Sequence, residues 1–116
     1  MIETFKEFHF EAAHDMTPWP GGLHGHTFKV QVVFTGPADP VWGWAVSLTE
    51  VDERVEVVRR MLDHKCLNDI IAAPSLENVA KFIFDKIAEA LPCIDRVTVR
   101  RGLEGHGEGC TFRGRA

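Results

Sequence analysis

Three histidines in this chain, His14, His24 and His26, have the type and spacing to hold a metal ion. His24 and His26 are separated by one residue. On a strand successive side chains alternate between faces, so the two imidazoles project from the same side. His14 stands at the corresponding end of an earlier alternating segment, and only a short loop separates the two segments. Pairing them as neighbouring strands brings three imidazoles to one rim. Three protein nitrogens with a free fourth position is the arrangement of a catalytic zinc site, whereas structural sites fill all four. Zinc is the first choice; imidazole also suits copper, nickel and iron. The plain alternative makes these histidines unrelated polar strand ends, and it requires their matched parity to be coincidence. Asp63 and His64 form a second pair with proton-transfer chemistry, since a carboxylate can fix an imidazole for relay near neutral pH. Taken alone, however, an Asp-His dipeptide is an ordinary polar helix end.

The elements that must position these groups are legible in the hydropathy pattern. Phe8, Phe10, Ala12 and His14 alternate with His9, Glu11 and Ala13, which predicts a strand from about Ile2 to His14. Pro18, Pro20, Gly21 and Gly22 mark a loop over 15–22. His24, His26, Phe28, Val30, Val32 and Phe34 then share one strand face, with Lys29, Gln31 and Val33 on the other. Ser47 and Glu50 read as a capping box ahead of a helix whose stripe is Leu48, Val51, Val55, Val58 and Leu62. A second helix is expected to open at Ser75, bury Val79, Ile83, Ile87 and Leu91, and stop at Pro92. Val97 to Val99 and Cys110 to Phe112 suggest two further strands, joined by the glycine-rich segment 102–109. The expectation is an α+β fold: an antiparallel four-stranded sheet with two helices on one face, in the order ββααββ.

Bulk properties narrow the function. A chain of 116 residues, 45% hydrophobic and 26% charged, is expected to form a single domain over residues 1–116. Its net charge of −4 argues against nucleic acid. The one basic cluster, Arg100, Arg101, Arg113 and Arg115, reads as a solvated edge or an anion site. Cys66, Cys93 and Cys110 have neither the count nor the spacing of a disulfide framework or a zinc finger. The acidic start lacks the apolar run of a signal peptide, and no segment reaches membrane-spanning length, so a cytoplasmic protein is expected.

Longer motifs add a resemblance. Phe10-Glu11-Ala12-Ala13-His14 followed by Leu23-His24-Gly25-His26-Thr27-Phe28 resembles the 6-pyruvoyl-tetrahydropterin synthase and 6-carboxy-tetrahydropterin synthase family. Leu62-Asp63-His64-Lys65-Cys66-Leu67-Asn68 is similar to its Leu-Asp-His-x-x-Leu-Asn segment, and Pro74-Ser75-Leu76-Glu77-Asn78-Val79-Ala80 to its helix start. Glu104, six residues before Cys110, resembles its C-terminal glutamate. The resemblance implies the tunnelling fold, in which strands of several subunits close into a barrel and sites form between subunits. It implies zinc on His14, His24 and His26, proton transfer by Asp63 and His64, and a pterin ring held by Glu104, with Glu108 as the nearby alternative. The implied assembly is a homo-oligomer built from closed trimers, a hexamer among the options.

One departure bears on activity. Where the family carries a proton-transferring Cys or Glu ahead of the His-x-His pair, this chain has Pro20, and the window Trp19 to Leu23 offers no titratable group. Ser47 also replaces a common family Asp. The expectation is therefore a zinc-dependent lyase acting on a dihydroneopterin-like substrate, with the standard synthase reaction impaired. The competing expectation is a non-catalytic binder of pterin- or purine-like ligands on the same metal-binding fold. A structural metal protein without substrate is a third reading, and it leaves Asp63, His64 and Glu104 without a purpose. Cys66, Asp15 and His106 are the groups that could stand in for the missing base.

Overall fold

Two long strands form the frame. In the computed structural model, which describes residues 1–103 and 105–114, β1 (Ile2–Asp15) and β2 (Leu23–Gly36) pair antiparallel along their whole length. After them come α1 (Leu48–Leu62), a short strand β3 (Lys65–Cys66), a single 3-10 turn over Leu67–Asp69, α2 (Leu76–Ala88), β4 (Ile94–Arg101) and β5 (Glu108–Phe112). The sheet order is β3-β1-β2-β4-β5.

Both helices lie on the sheet face that carries the even-numbered apolar residues of β1 and β2. Phe10, Phe28, Val30, Val32 and Phe34 are buried against Val51, Val55, Val58 and Leu62 of α1 and Val79, Ile83 and Ile87 of α2. The Phe10 and Phe28 rings stack with centroids 5.0 Å apart. Each such fully buried side chain contributes about 1.5–3 kcal/mol, so this layer holds β1 and β2 in register beneath the histidines.

Three details depart from the sequence reading. The sheet has five strands rather than four, and its extra strand is parallel: Ala12 and Ala13 of β1 pair with Lys65 and Cys66. Two residues carry no periodicity, so a segment this short leaves no mark in the sequence pattern. Ser47 sits at the start of α1 but makes no side-chain capping bond, unlike Ser75, which accepts from the Asn78 backbone N–H at 3.1 Å. Leu48 is half exposed because it occupies the first turn of α1, outside the stripe that faces the sheet.

Candidate metal centre

His14 and His24 are directly opposite each other in the β1–β2 register, and His26 is opposite Ala12. The turn preceding β2 presses on the cluster: Gly21 has φ of 122°, and a side chain there would meet His24 Cε1 at 3.2 Å. The three imidazoles each offer a nitrogen within 4.8 Å of the others. His14 is fully buried, and its ring lies edge-on to those of His24, His26 and Phe28.

The hydrogen bonds behind the rings decide what faces inward. His14 Nδ1 lies 2.8 Å from the Pro74 carbonyl oxygen, and His24 Nδ1 lies 2.8 Å from the Gly22 carbonyl oxygen. A carbonyl only accepts, so each Nδ1 must carry the proton and each neutral ring must present a bare lone pair at Nε2. Those two Nε2 atoms are 3.2 Å apart. Two lone pairs facing each other at that distance repel unless a proton or a cation lies between them. Carbonyl acceptors behind the distal nitrogens are also the usual way metal-bound histidines are oriented. The donor set and its tautomers therefore fit a divalent transition metal.

His26 is held below the usual imidazole range, first by burial, then by the Arg101 guanidinium and the two neighbouring imidazoles. The neutral, ligand-competent form is favoured there. Arg101 Nη1 approaches His26 Nε2 to 3.4 Å, while its Nε donates to Glu108 at 2.9 Å.

Asp63 and His64 come together in a different place. One Asp63 oxygen accepts from the Glu11 backbone N–H at 2.9 Å; the other contacts His64 Nδ1 at 2.9 Å and the Arg59 guanidinium at 3.0 Å. The Glu11 amide first, then His64, holds the Asp63 carboxyl below its ordinary value of 3.8. His64 adopts φ of 58°, a left-handed conformation uncommon outside glycine, and donates its backbone N–H to Glu11 O. His64 lines an open groove of about 580 Å³ together with Glu11, Ala12, Ala13, Gly25, His26 and Thr27, with Cys66 alongside. Glu11, Ala13, Gly25 and Thr27 are odd-numbered, on the sheet face opposite the cluster, while Ala12 and His26 also reach the groove wall. Among the described residues no hydrogen bond or ring contact joins His64 to His14, His24 or His26 within one chain.

The remaining candidates fall as follows. Glu104 lies outside the described residues. Glu108 is engaged by Arg101. Asp15 is folded back on Thr17, accepting from its hydroxyl at 2.5 Å and its amide at 2.9 Å, and those bonds, first of all, hold its carboxyl below the ordinary value of 3.8. Pro20 is exposed on the loop beside the cluster. Cys110 is partly buried, and burial pushes its thiol up, away from reactivity. Sequence reading did not single out Arg101 or the Pro74 carbonyl; the basic cluster around Arg101 was the one available signal, and a backbone acceptor leaves none.

Comparison with known proteins gives concordant findings. The family model described as 6-pyruvoyl tetrahydropterin synthase matches residues 3–115. A 6-pyruvoyl tetrahydrobiopterin synthase of Poecilia reticulata is 39% identical over 77 residues, which cover 60% of this chain and 51% of that protein, so the match spans about half of that relative's length. A dihydroneopterin monophosphate aldolase of Pyrococcus furiosus is 36% identical over 85 residues, covering 72% of each chain. Among solved structures, 6-pyruvoyl tetrahydropterin synthase of Caenorhabditis elegans superposes with a TM-score of 0.86 at 20% identity, over 98% of this chain and 96% of that one; at that identity the likeness speaks for the fold.

Proposed function

This chain belongs to the 6-pyruvoyl tetrahydropterin synthase family, and from that premise we propose that it is a zinc-dependent lyase acting on the side chain of a dihydroneopterin-like substrate. The observation that carries the reading is the pair of opposed Nε2 lone pairs of His14 and His24, 3.2 Å apart with both Nδ1 protons spent on carbonyls. His14, His24 and His26 would hold the zinc, which supplies Lewis acidity toward an oxygen of the substrate side chain.

The chain's own residues supply the rest. Asp63 accepts from His64 Nδ1–H and so fixes the tautomer that leaves His64 Nε2 free to take a proton. The Glu11 amide on the other Asp63 oxygen keeps that carboxyl ionised and in place. Because the dyad opens on the sheet face opposite the histidine cluster, the reading is that the dyad of one copy serves the cluster of a neighbouring copy. The long free edge of β1 beyond the two residues paired with β3 is an inviting seam for such an assembly, and the homo-oligomer of closed trimers remains our proposal. The pterin ring is assigned to Glu104, since Glu108 already accepts from Arg101.

Pro20 leaves the loop before β2 without a group that moves protons, so the standard 6-pyruvoyl product should form poorly. One positioned acid or base is worth ~10²–10⁴-fold in rate, and the deficit should be of that order. The similarity to an aldolase of a phosphorylated dihydroneopterin makes cleavage of the side chain the reaction to test first. Zinc-loaded protein should be incubated separately with dihydroneopterin, its monophosphate and its triphosphate, with products resolved by mass spectrometry. Turnover of one of these to a shortened or rearranged side chain is the expected result. Retention of intact ligand without turnover would instead establish the binding-protein alternative, which the bare Pro20 loop favours. Robust 6-pyruvoyl-tetrahydropterin formation would overturn the assignment of a missing base.

A further inference from the structure

We infer that Arg101 is a specificity-determining residue that pairs with an anionic group, a phosphate monoester, on the side chain of the molecule bound at the histidine cluster. This deepens the substrate assignment above and rests on it for the pterin part.

The inference starts from where Arg101 lies. It ends the core-facing series Val97, Val99, Arg101 on β4, so its side chain reaches the same sheet face as the three histidines. Its side chain is 26% exposed, and it is held at one end by Glu108 and placed at the other with Nη1 3.4 Å from His26 Nε2. A guanidinium has donors and no acceptor, so Arg101 cannot be a ligand. In the chain as it stands it uses the same lone pair that a metal would claim.

Loading the cluster therefore removes the acceptor that Arg101 Nη1 faces and sets a divalent ion beside a permanent cation. Glu108 is the only carboxylate on the guanidinium among the described residues, and its own side chain is 66% exposed. Two metal charges and one guanidinium against the Glu108 carboxylate and the Asp15 carboxylate near His14 and His24 leave the described residues of the site with a positive surplus. Such a surplus is met by a dianionic ligand, and the fork of an arginine matches phosphate oxygens two at a time. An unphosphorylated dihydropterin would leave Arg101 Nη1, displaced from His26, without an acceptor on a partly desolvated surface, which is how a site built for hydrogen bonds rejects the smaller analogue.

The test is equilibrium binding to zinc-loaded protein by titration calorimetry, with dihydroneopterin, dihydroneopterin monophosphate and inorganic phosphate as separate probes. Wild type should bind the monophosphate about 10- to 100-fold more tightly than dihydroneopterin, the range expected for hydrogen bonds to a charged group. Arg101→Gln should erase that preference while zinc content and dihydroneopterin affinity stay within about twofold of wild type. Arg101→Lys should keep part of the preference, as a point charge without the fork. Glu108→Gln, which removes the competing carboxylate, should strengthen monophosphate binding; a merely structural Arg101–Glu108 pair would move stability in both variants and selectivity in neither. Equal wild-type affinity for the two pterins, or a preference that survives Arg101→Gln, overturns the inference. If neither pterin binds, the substrate reading fails by itself. Arg101-dependent binding of inorganic phosphate would then still support the anion site, and its absence would overturn that too.

Discussion

His14 and His64 are both imidazoles with Nδ1 tied to an oxygen, yet their settings are opposite. His14 is fully buried, pinned to a backbone carbonyl and packed against Phe28. The His64 side chain is 79% exposed, on a left-handed backbone, and anchored through one carboxylate. The cluster around His14 has its donors gathered inside a single chain. The dyad around His64 has its orienting group in place and opens on a groove. A metal site needs fixed distances and profits from burial, whereas a proton relay needs access to a reacting atom. The contrast teaches that the two groups are built to different specifications, one for fixed distances and the other for access.

The largest effect should come from breaking the buried half. His24→Ala or His26→Ala should lower zinc affinity by at least about 100-fold, since losing even an outer partner of a ligand costs 10–100-fold. Metal analysis after gel filtration should show one ion per chain in wild type and little in either variant; unchanged stoichiometry would refute the ligand assignment. His14→Ala should also destabilise the metal-free protein by about 2 kcal/mol or more, because it opens a hole and strands the Pro74 carbonyl. His24→Ala, at the half-exposed rim, should cost clearly less in the same denaturant titration.

The next effect separates one chain from several. Asp63→Asn should reduce turnover by ~10²–10³-fold while leaving zinc content unchanged. If the dyad of one copy serves the cluster of another, mixing unfolded Asp63→Asn and His24→Ala chains and refolding them together should recover activity that neither homo-oligomer has. Refolded mixtures as inactive as their parents would place both halves in the service of the same chain.

The smallest effect is in acid. The folded value of Asp63 lies below its ordinary 3.8, so the ionised carboxylate stabilises the fold. That contribution is complete above the ordinary value and disappears as pH falls through the folded one. Unfolding measured from about pH 5 to pH 2 should fall less steeply for Asp63→Asn than for wild type. Parallel acid limbs would show that the Glu11 amide and His64 do not hold this group in solution as they do in the structure.

The sequence carried the frame well because the two long strands bury one face each, and a buried face writes itself as alternation. Phe10, Phe28, Val30 and Val32 are where that alternation puts them, and the same parity brought His14, His24 and His26 together. What the sequence hid depends on contacts distant along the chain. The β3 strand exists because Lys65 and Cys66 fall beside Ala12 and Ala13, and two residues show no period. Arg101 meets His26 across 75 positions, with no local signature. Parity also could not say that Asp63 and His64 would face away from the cluster, since their direction is set by the turn after α1 and the Glu11 amide.

The uninterrupted β1–β2 ladder has a bearing on how such a site changes over generations. A slip of one residue within either strand would turn every histidine to the wrong face, so insertions and deletions inside Ile2–Asp15 or Leu23–Gly36 are all but forbidden. The turn is under a looser rule from Met16 to Pro20, whereas Gly21, which packs against His24, and Gly22, whose carbonyl accepts from His24 Nδ1, are tied to the cluster. Residues from Met16 to Pro20 can be exchanged so long as Gly22 keeps its hold on His24. A lineage can therefore change the residue that stands at Pro20 and keep its three imidazoles together throughout.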